Sequence, residues 1–284
     1  MKIGIMAFMT VDAIHPSELA RKCEALGFDL LVFPEHPVIP SKPRTPFPRG
    51  DGRIPEFYLN CPDPFVTVAM AAAATTKLRV GTGILLVPEH NPINVAKAVA
   101  TLDHYCNGRF VMGIGGGWMV DELEVFGVDF RRRWPLVREY VRAMKELWTK
   151  EDASFGGEFI KFPPIRCNPK PFQKPHPPIL VGAAGDRALK NVVAIGDGWM
   201  PIEQPPDSLK AQLGKLRTMC GEAGRRFEEL DISVTFMDAI KPNSRDLIER
   251  YREAGAHRLI LNSSPLSRDN ADRELEAMAR AWIA

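Results

Sequence analysis

The stretch KLRVGTGILLVPEHNPINVAKAVATLDHYCNGRFVMGIGGGWMVDE, residues 77–122, decides the fold. Its first eleven residues are apolar almost throughout, as a strand covered on both faces must be. Asn91 and Pro92 then open an amphipathic segment that Gly108 closes, which is the pattern of a capped helix with proline in its first turn. RFVMGIG returns to a short β-rich run, and four glycines fall within five residues, 113–117, at its C-terminal end. Strand, helix and strand in this order form a parallel β-α-β unit.

The same rhythm extends in both directions. Upstream, KIGIM is followed by HPSELARKCEALG, with Pro16 suited to a first helical turn and Gly27 to a C-terminal cap, and then by the strand FDLLVF and the residues PEHP. Residues 37–64 are rich in proline and carry Gly50 and Gly52; a connection this long is usually functional. FVTVAMAAAAT reads as the second helix. Downstream, MVDELEVFG and RRRWPLVREYVRAMKELW form a helical pair, and SFGGEFIKFPPIRCNPKPFQKPHPPI interrupts the rhythm with a hairpin at 154–162. PILVG, DGWMP, LDISVTFM and HRLILNS supply four more strands, each followed by a helical segment. Eight strand-helix units with no linker between halves predict one α/β domain over residues 1–284, a (β/α)8 TIM barrel with an insertion after strand 4.

Composition narrows the partners. The 37 Lys and Arg residues nearly balance 35 Asp and Glu, a net charge of +2, so no broad field draws nucleic acid or an anionic membrane. The expected partner is a small-molecule substrate. Five cysteines with no CxxC spacing fit reduced thiols in the cytoplasm. MKIGIMAFM lacks a signal-peptide pattern, and no run approaches the ~20 apolar residues of a membrane span. HxH, HExxH and paired cysteines are absent, so no metal site is expected.

A barrel carries its active site at the C-terminal ends of its strands. Glu35 and His36 follow the second strand, and His36 could relay a proton or merely cap the loop. GIGGG does not satisfy the dinucleotide fingerprint, and a tight turn without a ligand explains it equally well. ILVGAAGDRALKN places Gly182, Ala183, Ala184 and Gly185 before a helix, where small residues and the helix dipole suit a phosphate; a bare turn is the alternative. Trp118 reads as a pocket wall or a cover on the barrel mouth. Glu89 and His90 have no evident partner and read as loop residues, and the late acid Asp238 has no evident role.

Taken together, NP before the third helix, ATLD within it, NGR before the fourth strand, GxGGGW after it, the spacing of Arg133 to Glu139, the closing LW and the later DGW are distinctive. The sequence resembles the bacterial luciferase-like superfamily of flavin and deazaflavin oxidoreductases, and most closely its coenzyme F420-dependent branch. The resemblance runs from the first strand to about Pro201. It implies a barrel binding F420, or alternatively FMN, at its C-terminal face, with a non-prolyl cis peptide at Gly83-Ile84 supporting the ring. It also implies that His36 faces the ring or substrate, that Gly115, Gly116, Gly117 and Trp118 border the ribityl chain, and that Gly182 to Gly185 hold the phosphate. Trp118 stands where sugar-phosphate dehydrogenases of the family keep a glutamate proton donor, which leaves the acid unassigned and His36 and Glu35 as the catalytic candidates. The implied activity is hydride transfer with F420; the alternative is an FMN-dependent monooxygenase. Phe57 or Tyr58 in the proline-rich loop are candidate lids, and the family's habit of pairing through helices 2 and 3 implies a homodimer.

Overall fold

The computed structural model describes residues 1–236, 244–263 and 266–283. Its strands are β1 (Lys2–Ala7), β2 (Leu30–Phe33), β3 (Arg79–Leu86), β4 (Phe110–Gly115), β5 (Ala153–Gly156), β6 (Lys161–Ile165), β7 (Ile179–Val181), β8 (Gly198–Trp199), β9 (Asp231–Phe236) and β10 (Arg258–Ser263). Eight of them close a parallel barrel in the order β1-β10-β9-β8-β7-β4-β3-β2. The seam is the β1–β10 pair, registered from Lys2 opposite Arg258 to Ala7 opposite Ser263. The insertion after β4 is the antiparallel hairpin β5–β6, set outside the barrel.

Nine helices among the described residues wrap the barrel: α1 (Pro16–Ala25), α2 (Pro64–Ala73), α3 (Pro92–Tyr105), α4 (Val120–Val125), α5 (Arg133–Thr149), α6 (Asp186–Ile195), α7 (Pro206–Glu222), α8 (Ser244–Ala254) and α9 (Ala271–Trp282). The caps follow the sequence signals. Asn91 accepts the amides of Ile93 and Asn94 at the start of α3, and Asp63 accepts that of Val66 at the start of α2. Val137, Val141, Met144, Leu147 and Trp148 form the buried stripe of α5.

Alternation along the strands separates two buried layers. Leu30 and Val32 join Met6, Val111, Leu180, Met200 and Ile260 in one cluster, while Leu31 and Phe33 join the larger cluster that includes the helix stripes. The strands begin around Arg258, only 1% exposed, which donates to Asp29 at 2.7 Å and to Ser233 at 2.7 Å, and pairs with Asp231. A charged base therefore braces one end of the barrel and leaves the other for a site. Asp238 and the end of the predicted strand LDISVTFM at Met237 lie outside the described residues.

Candidate active site

At the C-terminal ends of the strands lies a cavity of about 740 Å³. Its lining includes Glu35, His36, Gly83, Ile84, Gly116, Gly117, Trp118, Gly182, Ala183 and Ala184, so the candidates from four separate loops meet there. Gly115 and Gly185 stand outside the lining. Gly115 lies on β4, where a Cβ would overlap the Ile84 side chain, and a Cβ on Gly182 would come 2.6 Å from Ile84 Cγ2. The two glycines thus leave room for Ile84 to stand in the cavity wall. The Gly83-Ile84 peptide is cis, as the resemblance implied. Gly185 precedes α6 at φ 79°, a conformation open to glycine, and offers no capping side chain to the amides of Asp186 and Arg187, while the Ala188 amide donates to the Gly185 carbonyl at 2.9 Å. The indole N–H of Trp199, from the DGW motif, donates to the Ala183 carbonyl at 2.8 Å and fixes the turn before α6.

His36 is buried, and its two ring nitrogens have different partners. Nδ1 lies 2.8 Å from Glu122 Oε2, and Nε2 accepts the Trp118 indole N–H at 3.3 Å. An indole nitrogen only donates, so the His36 proton belongs on Nδ1, where it points at the Glu122 carboxylate. Glu122 is 1% exposed and sits in the first turn of α4. Sequence reasoning missed this acid, which lies beyond Trp118 in the helix that follows the fourth strand. The signal that could have found it is the acidic first turn of α4, directly behind the glycines.

Glu35, expected as a catalytic acid, is committed elsewhere. Its Oε2 accepts the Leu86 amide at 2.6 Å and its Oε1 meets His90 Nε2 at 2.7 Å, so it braces the end of β2 against the end of β3. Burial pulls His90 down, but the hydrogen bond and charge of Glu35 outweigh it and hold the imidazole above its usual value. The reading of His90 as an unpartnered loop residue is therefore corrected. His90 is an ion-pair partner, and Glu89 is buried, with burial first and then the Glu122 and Glu35 charges pushing its carboxyl up to about 9.

The two sides of the cavity differ in chemistry. On the side of β1 and the 37–64 loop, Phe8, Phe47, Phe57 and Tyr58 form an aromatic cluster with centroid separations of 4.8 Å for Phe8–Phe57 and 5.2 Å for Phe47–Tyr58. Tyr58 packs on His36 at 4.9 Å, and Phe47 meets Trp118 at 5.6 Å. Tyr58 occupies a short 3-10 turn, Glu56–Asn60, and is buried in the lining of the cavity. The side formed by α5 and α6 is cationic, lined by Arg131, Arg133, Arg138, Arg187 and Lys190. Among the described residues none of the five enters a salt bridge, and Arg133 Nε is buried with no acceptor. Burial, then Arg187, pulls Arg133 below its ordinary value. Arg138 donates to Asn191 at 2.9 Å and ties α5 to α6 at this mouth. Sequence reasoning missed this cationic wall.

Among the described residues no group of three or more His, Cys, Asp or Glu is placed to hold a metal ion, and no helix is long and apolar enough to cross a membrane. A (β/α)8 barrel with a non-prolyl cis peptide in its third strand and a glycine-lined cavity at its C-terminal face defines the class. A family model described as luciferase-like monooxygenase matches residues 1–282, and the chain belongs to that family of oxidoreductases and monooxygenases. It is similar to an uncharacterized protein of Mycobacterium tuberculosis (strain ATCC 25618 / H37Rv), with 37% identity over 282 residues covering 98% of each chain. It is also similar to the FMNH(2)-dependent dimethylsulfone monooxygenase of Pseudomonas putida, 32% identical over 163 residues, which are 56% of this chain and 45% of that protein. Among solved structures, an F420-dependent secondary alcohol dehydrogenase in complex with an F420-acetone adduct shares the fold, with a TM-score of 0.76, 20% identity and 97% of each chain covered.

Proposed function

We propose that the protein is a coenzyme F420-dependent oxidoreductase acting on a small, uncharged organic substrate. The observation that carries the choice of cofactor is the set of five cations on α5, on α6 and just before α5 that, among the described residues, enter no salt bridge. F420 ends in a phosphodiester and several carboxylates, whereas FMN ends in one phosphate; a wall of this charge, with an orphaned Arg133 Nε, fits the longer anion. The 740 Å³ cavity and the Ile84 wall between Gly115 and Gly182 fit a flat tricyclic ring. Ile84 would support that ring, Gly116 and Gly117 would border its chain, and Gly182 to Gly185 with the α6 amides would hold its phosphodiester.

When bound, the deazaflavin supplies a carbon centre that accepts or donates hydride. The chain's own residues do the rest. Phe8, Tyr58 and Trp118 wall the substrate side around His36 with aromatic rings that exclude water. His36 takes or gives a proton at Nε2 once the Trp118 N–H releases it, and Glu122 holds the Nδ1 proton and faces the imidazolium that results. The five cations would hold the anionic tail of the cofactor.

A second reading, an FMN-dependent monooxygenase, is favoured by the match to the dimethylsulfone monooxygenase. The two are separated by assaying the protein with F420 and a panel of small alcohols and ketones, and in parallel with reduced FMN and oxygen. A substrate-dependent change in F420 absorbance, with no oxygen consumption beyond the free-flavin background, is expected. Substrate-dependent oxygen uptake with reduced FMN and an inert F420 would establish the second reading instead.

A further inference from the structure

One buried acid beside the site has no part in that scheme. Glu89 ends the 3-10 turn Val87–Glu89 that follows β3; it is 6% exposed, and neither carboxyl oxygen has a hydrogen-bond partner. Glu122 takes the His36 N–H on Oε2, but its Oε1 is also buried and unpartnered. Among the described residues these three are the only buried carboxyl oxygens without a partner. They belong to two side chains that act on each other electrostatically.

A buried carboxylate with no donor is among the costliest groups a protein can hold, and the charge of Glu122 adds to that cost at Glu89. The cost disappears if one of the pair is a neutral acid, because its O–H then supplies what the other's free oxygen lacks. Glu122 already accepts the His36 N–H on Oε2, so it is the acceptor of the pair. We infer that Glu89 is a neutral acid whose O–H serves Glu122 Oε1, directly or through one buried water, and that it is a positioning residue for the His36–Glu122 pair.

The surrounding groups agree with this assignment. Glu35, the other nearby carboxylate, is satisfied by His90 and the Leu86 amide. Cys61, which faces Glu122 and Glu35 from the end of the 56–60 turn, is a neutral thiol pushed up to about 12 by burial. His36 contributes no proton to Glu89, since its Nδ1–H is used by Glu122. With donors on both oxygens, Glu122 stays aimed at His36, the proton stays on Nδ1, and Nε2, which takes the Trp118 N–H, remains the accepting side of the ring. When Nε2 is protonated the imidazolium faces the Glu122 carboxylate, the Glu89 proton stays where it is, and no bond to carbon changes.

The inference rests on the cofactor reading only for the use made of the proton, and its test uses the cofactor-free protein. Infrared spectra of wild type at pH 7 should show a protonated-carboxyl C=O band that shifts on 13C-glutamate labelling, disappears as pH passes about 9 with the fold intact, and is missing in Glu89→Gln. Proton NMR should show a downfield His36 Nδ1–H resonance that Glu89→Gln, which keeps a donor, retains and Glu89→Leu loses. Thermal stability gives the sign independently. The folded chain holds a proton that the unfolded chain releases above about 4.5, so wild type loses stability as pH rises from there to about 9, and Glu89→Gln lacks that fall. Absence of a glutamate acid band at pH 7, or a band that survives Glu89→Gln, overturns the inference. If that variant does not fold, the labelled wild-type band and its pH dependence decide alone. A protein that binds no deazaflavin would still give these results, so the two readings fail separately.

Discussion

At the residue scale the site turns on one imidazole with a defined tautomer. The Trp118 N–H occupies Nε2 and the Glu122 carboxylate takes the proton on Nδ1, so the ring is poised as a base on the side facing the cavity. Positioned general acids and bases contribute about 10²–10⁴ in rate. His36→Ala and Glu122→Gln are each expected to lower kcat by about 10²-fold or more while leaving the cofactor Kd nearly unchanged, because the cations proposed to hold the cofactor are untouched; steady-state kinetics beside a binding titration checks both. Loss of binding with unchanged kcat would place these residues in cofactor recognition instead. His36 was legible in the sequence because a polar group directly after a barrel strand faces the site. Glu122 was not, because its partner lies 86 residues away and only barrel closure brings α4 onto the end of β2. Glu35 looked catalytic from its place in the chain, and only the positions of Leu86 and His90 show that both its oxygens are taken.

At the element scale α4 couples the loop to the site. Asp121 and Glu122 are adjacent on its first turn, and while Glu122 meets His36, Asp121 takes the Thr45 amide at 2.8 Å, the Thr45 hydroxyl at 2.5 Å and the Arg44 Nε at 2.7 Å. Arg44 also pairs with Glu124. The Thr45 hydroxyl first, then Arg44, hold the Asp121 carboxyl well below its usual value, so the folded state favours the carboxylate. That contribution is present above about 3.8 and is lost as pH falls through the lower folded value, so the latch opens only in strong acid. A hydrogen bond to a charged group contributes about 1.5–3 kcal/mol, so Asp121→Asn should speed amide exchange over residues 41–47 about tenfold or more at pH 7, with barrel amides unchanged. Exchange mass spectrometry reads this directly, and an unaltered loop would show that the aromatic cluster alone holds it. The long proline-rich connection was recognisable from its composition, but its attachment was not, since Arg44 and Asp121 come from distant segments. The cationic wall was hidden for a related reason: Arg133 and Arg138 lie on α5 and Arg187 and Lys190 on α6, and they line one cavity only when the two helices are set side by side.

At the scale of the whole molecule, the barrel separates stability from chemistry. Arg258 and its aspartates brace the base, and the open end holds a cavity that is aromatic on one side and cationic on the other. The eight-strand order was legible because each strand is a short apolar run bounded by caps, even where β8 keeps only Gly198 and Trp199. What the chain order could not display is the polarity of the cavity, on which the choice between two cofactors rests. The most direct test is equilibrium titration of the cofactor-free protein with F420 and with FMN, repeated at increasing salt and with Arg187→Ala/Lys190→Ala. The account predicts tighter binding of F420 than of FMN, an advantage that shrinks with salt and in the double variant; equal or tighter binding of FMN, or binding of neither, would contradict it.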